Sequence, residues 1–428
     1  MTEIPDDDCV MAAIEHEEEE PMLRREKEST PLLQDRSLNL WFLKASGAEN
    51  KIDKRVISTT IAASAKTIET VDVGADLWNH MNDEEVNHVF QTIGYITNLK
   101  WLCFSLSCTS QAANQKRRCL SMKMLSHILS KAEKLEFFIL YDVILTGSKS
   151  DWSELTDVLK SHGSLQHVSL EKVDFNDSKI DLDTFVLALS QTRTLELFEI
   201  VQNNRAGNEV SKVSPCALET FLSNARALRV LRLCGLGIGD EHIMRMSASL
   251  KENQTLKELC LWQTQLTEKG MAHFSNALSI NKSLTVLNLN ENNLSSQAGN
   301  ALFSILHEQS QLESGNMEEL YVECQNMDKT CRRSLLKVIE SNRVIKKLEV
   351  CFGWSKGALI EEKVQFQRDL ATALYSKTTI GRNPFQTLFD NQKHNAAPHR
   401  RWEIKMRRLG TDDAWLADGE VVDDQPME

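Results

Sequence analysis

The sequence carries none of the short constellations that announce chemistry. Its 10 cysteines include no C-x-x-C pair and no cysteine–histidine group at zinc-ligand spacing, which removes a structural metal site and a thioredoxin-like motif. No G-x-x-x-x-G-K-[ST] phosphate loop occurs. The run CGLGIGD has glycines at 235, 237 and 239, the wrong spacing for a dinucleotide G-x-G-x-x-G. His307-Glu308 lacks a second histidine four residues after the first, so it is not a zinc-protease helix. Carboxylates are plentiful, yet none is flanked by apolar residues in the way that singles out a raised pKa. No residue is therefore given a catalytic, cofactor-binding or metal-binding role, and the expectation is a non-enzyme.

Targeting signals are equally scarce. The first twenty residues, MTEIPDDDCVMAAIEHEEEE, hold no basic segment followed by an apolar run, and no apolar stretch approaches the length of a membrane span. The expectation is a soluble intracellular protein, cytoplasmic with the nucleus also open, whose thiols stay reduced and mostly buried. The four N-x-[ST] triplets, among them those at Asn253 and Asn281, are then chance matches.

What is abundant is charge, and it is unevenly placed. The formal net charge is −12. Residues 1–45 hold 12 acidic and 5 basic side chains, and residues 411–428 hold 7 acidic and no basic ones. The body between them is close to neutral, which disfavours nonspecific binding of nucleic acid. Residues 1–36 read as an acidic disordered arm, because like-charged blocks bury too little apolar surface to offset their ordering entropy. Within it, Ser29-Thr30-Pro31 is a proline-directed phosphorylation triplet or a plain linker. Residues 37–67 read as an N-terminal cap, with Leu38, Leu40, Trp41 and Leu43 covering the open end of a repeat array that begins at Ile68.

Residues 68–380 repeat. Leu256–Ser283 and Leu284–Gln311, set one above the other, share an L-x-x-L-x-L strand, a polar turn ending in Leu, and a helical half. The same apolar anchor recurs at Ile68, Leu99, Leu135, Leu165, Leu195, Leu228, Leu256, Leu284, Met317 and Ile345. The gaps of 28 to 36 residues define about ten units of a solenoid, irregular where loops are inserted. The strand period of two sends Leu287 and Leu289 inward and Val286, Asn288 and Asn290 outward. Thr267 or Asp240 is placed to cap a helix, Ser214-Pro215 repeats that start signal, and Met271, Phe274 and Leu278 form an inward helical stripe. After Ile345 a loop CFGWSKGAL and a helix near residues 361–376 close the array. Residues 381–428 are a tail, with the basic segment 399–408 either a polyanion or import patch or a solvated helix, succeeded by the acidic end. Asn383-Pro384-Phe385 resembles the tripeptide read by EH-domain adaptors, and otherwise reads as a turn.

These units resemble leucine-rich repeats of the ribonuclease-inhibitor-like subfamily, most strongly over residues 228–350. In the unit at Leu284, Leu287, Leu289, Asn292 and Leu294 fit the family pattern, in which the Asn side chain satisfies backbone groups of the turn. Asn203 holds that place in the unit at Leu195, whereas Thr264, Leu236 or Val173 holds it elsewhere. The resemblance implies an α/β fold, a right-handed horseshoe with a curved parallel sheet inside and helices outside.

With no chemistry visible, surface remains. About ten strands at ~4.8 Å spacing make a concave face roughly 45 Å along its arc, ample for a protein partner. Its outward positions include Trp101, Phe137, Ile139, Tyr141, Trp262 and Tyr321 among Glu171, Glu199, Glu258, Glu319, Glu323 and Glu349. Aromatic anchors amid acids suit a basic protein partner, although Phe137 and Ile139 are also placed to be covered by the chain's own N-terminal segment. Insertions at residues 111–118 and 202–214 fall on one rim, a second candidate binding edge. The expectation is an interaction scaffold. A small-GTPase regulator of the type that activates Ran, and a cytoskeletal or axonemal repeat protein, remain open.

Overall fold

The computed structural model of the chain describes residues 33–34, 36–40, 54–74, 81–106, 119–174, 182–202, 213–312, 314–322, 327, 329–342, 344–352 and 403–408. Strands and helices alternate through most of the described chain. The order begins β1 (Leu33–Gln34), β2 (Ser37–Leu40), α1 (Lys54–Ser64), β3 (Thr70–Gly74), α2 (Asp83–Ile93), β4 (Trp101–Ser105), β5 (Cys119–Ser121) and α3 (Met122–Lys131). It continues β6 (Phe137–Tyr141), β7 (Ile144–Thr146), α4 (Lys149–Ser161), β8 (His167–Glu171), α5 (Leu182–Leu189), β9 (Leu197–Val201), α6 (Pro215–Asn224), β10 (Val230–Cys234) and α7 (Gly239–Glu252). The last elements are β11 (Glu258–Cys260), α8 (Glu268–Ile280), β12 (Val286–Asn288), α9 (Ser296–Gln311), β13 (Glu319–Val322), α10 (Arg332–Ser341), β14 (Lys347–Phe352) and β15 (Glu403–Arg408).

One sheet of 13 strands runs in the order β1-β2-β3-β4-β6-β8-β9-β10-β11-β12-β13-β14-β15, and β5 with β7 forms a small second sheet on one rim. Every pairing from β2 onward is parallel, while β1 folds back antiparallel on β2. Among the described residues the helices cover one face. This is a leucine-rich-repeat-like α/β solenoid.

All ten apolar anchors are buried, from Ile68 at 0% exposure to Met317 at 4%. Each stands two residues ahead of its strand, at the corner where chain leaves helix for sheet. Leu287 and Leu289 are inward, and Met271, Phe274 and Leu278 pack against them as one continuous core. Asn290 departs from the expected alternation: β12 ends at Asn288, the chain bends, and Asn290 is buried.

Both ends of the stack are extended beyond the anchors. Residues 37–67 supply β2 and α1, with Leu38, Leu40, Ile57 and Ile61 entering the same core. Leu33, at the end of the expected arm, pairs with Leu38 and packs partly on that core. Trp41, Leu43 and the expected helix near 361–376 lie outside the described residues. Cys351 and Phe352 belong to β14, not to a loop. The basic segment is not a helix either, since residues 403–408 pair in parallel with β14.

Polar side chains bind the units to one another at two kinds of corner. At the strand-to-helix turn, Asn292 accepts from the Thr264 and Leu266 amides at 3.0 Å and donates to the carbonyls of Leu261 at 2.7 Å and Leu289 at 2.9 Å. That is the role the resemblance implies. Where Val173 replaces Asn, the Gln202 side chain donates to the Val173 carbonyl at 2.8 Å. Just past the next strand, Gly235 (φ 67°) admits the Gln202 backbone, because a Cβ there would lie 1.7 Å from the Gln202 carbonyl oxygen.

The second ladder, at the helix-to-strand corner, was not singled out in the sequence. Asn253 and Asn281 each accept from two succeeding amides, Asn253 from Thr255 and Leu256 and Asn281 from Ser283 and Leu284. Each also donates to the preceding unit, to Leu222 at 3.3 Å and Leu250 at 2.7 Å. Asn342 accepts from Val344 and Ile345 in the same way. In the N-terminal half the corner is held by His162, bonded to the Ala132 carbonyl at 3.1 Å, and Thr192, donating to Leu159 at 3.0 Å. The N-x-[ST] triplets at Asn253 and Asn281 are thus corner motifs whose carboxamides are consumed.

Helix starts obey the expected signals with one exception. Ser214 caps α6 ahead of Pro215, and Thr267 caps α8. Asp240 does not cap its own helix. Its carboxylate accepts from the Thr267 amide at 2.8 Å and the Thr267 hydroxyl at 2.6 Å, as Asp183 accepts from the Ser214 amide at 2.6 Å. An aspartate in one helix therefore anchors the start of the next.

Leu287→Ala is expected to cost about 2–5 kcal/mol in urea unfolding, since the site is fully buried. Burial holds His162 below the ordinary histidine value of 6.5, against the opposing pull of its bond to Ala132. The stability it contributes is therefore complete above about pH 6.5 and lost as pH falls toward its lower folded value. His162→Asn, which copies the later corners, should reduce the stability lost between about pH 7.5 and pH 5.5 in paired unfolding curves.

Candidate functional site

The described helices leave one face of the sheet uncovered, and strict register turns its outward residues into rows. In the row nearest the strand starts, Trp101, Phe137, His167, Leu197 and Val230 stand side by side on successive strands. The same row continues with Glu258, Val286, Glu319 and Lys347. A second row holds Cys103, Ile139, Ser169, Glu199, Arg232, Cys260, Asn288 and Tyr321. A third, at the strand ends, holds Ser105, Tyr141, Glu171, Val201 and Cys234.

The first half of this face is an aromatic and aliphatic ladder. The Trp101 and Phe137 rings lie 5.1 Å apart, and Phe137 meets the His167 ring edge to face at 4.4 Å. Trp101 Nε1 donates to Asp72 at 3.0 Å, which fixes the indole across its neighbour. These residues are all half-buried, so the ladder keeps accessible apolar surface. His167 is a member that the sequence did not single out. It stands two residues after Leu165, as Phe137 stands two after Leu135, so counting from the anchors would have found it. Burial holds its imidazole below 6.5, opposed by Glu196 and Glu136.

The acidic residues of the face are mostly engaged. Arg232 reaches Glu258 at 2.6 Å and Glu199 at 3.2 Å, and Ser169 donates to Glu199 at 3.2 Å. The Tyr321 hydroxyl donates to Glu319 at 2.7 Å, and Lys347 lies 4.9 Å over the Tyr321 ring. Glu171 shares its counter-ion. Lys172 stands 3.6 Å away but donates to the Tyr141 hydroxyl at 2.7 Å and lies 4.6 Å over that ring. Burial pushes the Glu171 carboxyl above the ordinary range, Lys172 pulls it down, and Glu199 and Asp142 add to the rise. A raised carboxyl therefore exists, because stacked strands supply an apolar setting that neighbours in sequence do not.

The structure brings Trp101, Phe137, Ile139 and Tyr141 together, and places Glu171, Glu199, Glu258, Glu319 and Tyr321 on the same face. Trp262 requires a correction. β11 ends at Cys260, so Trp262 lies in the turn beyond it, half-buried, where its carbonyl accepts from the Gly235 amide at 2.8 Å. Glu323 and the insertions at 111–118 and 203–212 lie outside the described residues, and only the backbone of Glu349 is described.

The thiols on this face are not poised for attack. Burial pushes Cys103 up to about 12, with Asp72 adding to the rise. Cys234 is raised first by its hydrogen bond with Cys260, at 3.3 Å between sulfurs, and then by burial. Reactivity tracks the thiolate. Alkylation near neutral pH, mapped by mass spectrometry, should therefore label the exposed Cys119 and Cys216 well before Cys103, Cys234, Cys260 and Cys331. Among the described residues no group of three or more metal-ligating side chains is assembled, and no helix is long and apolar enough to cross a membrane.

No family model and no curated protein sequence matches the chain. Among solved structures, leiomodin-1 actin-binding site 2 is similar at 17% identity over 36% of this chain and 80% of that chain, with a TM-score of 0.26. The tropomodulin C-terminal domain of Caenorhabditis elegans is similar at 13% identity over 42% of this chain and 98% of that chain, with a TM-score of 0.31.

Proposed function

We propose that this protein is a non-catalytic interaction scaffold that receives a protein partner on its concave face and one rim. One observation carries the reading. The half-buried row from Trp101 through Phe137 and His167 to Leu197 and Val230 crosses five adjacent strands on a face that none of the described helices covers. Aromatic anchors of this kind, ringed by paired charges, have the composition of a binding hot spot. The non-catalytic part is supported by the protonated thiols and by acids already bonded to Arg232 and Tyr321.

The units are of the ribonuclease-inhibitor-like type in this reading. In its support, the anchors at Leu228, Leu256 and Leu284 are 28 residues apart, and α7 to α9 are full helices of 14, 13 and 16 residues. The partner is basic at the point where it meets Glu171, whose counter-ion Lys172 is also bonded to Tyr141.

The test is proximity labelling in the native cell with wild type, a Phe137→Asp, Leu197→Asp double variant and a control, Tyr95→Ala, on the helical side. The double variant should lose a specific labelled protein by about tenfold or more while the control keeps it, because each change places a charge in an anchor position. Identical labelling by all three folded proteins would remove the concave face from the reading.

A further inference from the structure

We propose that Cys234 and Cys260 are a site of covalent modification, a thiol pair that a peroxide converts into a reversible disulfide between the ends of β10 and β11. Neither the aromatic row nor a bound partner is needed for it.

Arg232 stands opposite Cys260 in the register of β10 and β11, and the strand period of two sends Cys234 to the same side one step further along. The two side chains lean together across the gap. A disulfide spans about 2.05 Å, so sulfurs that now lie 3.3 Å apart need to close by only about 1.3 Å. The backbone beside them is already joined, since the Gly235 amide donates to the Trp262 carbonyl at 2.8 Å just beyond both cysteines.

Access selects the oxidant. Cys234 is 6% and Cys260 8% exposed, and both belong to the outward rows of the concave face. So small an opening excludes a bulky alkylating reagent or a peptide disulfide, which must approach the sulfur in line. Hydrogen peroxide is close to water in size and passes. Cys103 cannot compete for either sulfur, because β4 and β10 are four strand spacings apart in the sheet, about 19 Å.

In the first step one thiol loses its proton to water and its sulfur attacks a peroxide oxygen. The O–O bond breaks, hydroxide leaves and takes up a proton as water, and the sulfur is left as a sulfenic acid. The neighbouring sulfur then attacks the sulfenyl sulfur. The S–S bond forms as the S–O bond breaks, and hydroxide leaves with the second thiol proton as a second water. Two thiols are thereby oxidised to one disulfide and one peroxide is reduced to two waters. The raised Cys234 thiol slows the first step, but the second joins groups already in contact, so the sulfenic acid is captured before it oxidises further.

The experiment treats the reduced full chain with hydrogen peroxide, alkylates the remaining thiols in denaturant and maps the digest by mass spectrometry. A Cys234–Cys260 linkage, two hydrogens lighter than the sum of its peptides and abolished by dithiothreitol, should exceed all other cysteine pairings together by about tenfold, as proximity requires. Oxidation in urea should erase that preference, because the two residues are 26 positions apart in the chain and then compete with every other thiol. A Cys119→Ser, Cys216→Ser double variant, which removes the exposed thiols among the described residues, should keep the linkage, since the pair does not acquire its bond by exchange from them. Sulfinic acid at Cys234 or Cys260 in place of the linkage, a pair still reduced once Cys119 is fully oxidised, the same mixture of pairings with and without urea, or a linkage lost in the double variant would each overturn the proposal.

Discussion

Parallel pairing without a slip from Ser37 to Phe352 is the constraint on which the rest depends. A shift of one residue in any strand would send its leucines to the open face and its polar residues into the core. The register holds because the inward strand positions bury apolar side chains against the helices, as Leu102 and Phe104, Phe138 and Leu140, and Leu231 and Leu233 do. The same register that fills the core therefore also composes the concave face, since the residues between the buried ones have nowhere else to go.

A parallel array turns two corners in every unit, and each corner leaves backbone groups to be satisfied away from water. This chain meets that demand with different side chains in different units. Asn292, Gln202, Thr192, His162 and the asparagines at 253, 281 and 342 all reach backbone groups of their own or the preceding unit. Charge does similar work along the outer edge of the strand starts, where Arg36, Glu69 and Lys100 form one paired run and Glu318 pairs with Lys346. Such exposed pairs add little stability each, and their main effect is to keep that edge neutral.

The concave face is divided in consequence. Its first half is aromatic and aliphatic, built on Trp101, Phe137, Ile139 and Leu197. Its second half is charged but largely self-compensated around Arg232 and Tyr321. Between them, Glu171 and Glu199 stand on adjacent strands, so that boundary sets two carboxylates beside accessible apolar surface.

The repeat, its register and most of the core were legible in the sequence, because leucines at fixed offsets leave few ways to pack. So was the membership of Trp101, Phe137, Tyr141 and Tyr321 in one face, which comes from a period of two. Tertiary structure decided what depends on the neighbouring unit: that His167 joins the aromatic row, that Asp240 anchors Thr267, that Trp262 falls beyond its strand, and that residues 403–408 pair as a strand. It also decided which acids are compensated, since Arg232 and Glu199 are 33 residues apart and meet only because β9 and β10 lie side by side. A linear pattern specifies which way each side chain points, whereas its partner across the sheet is set by the stacking of units.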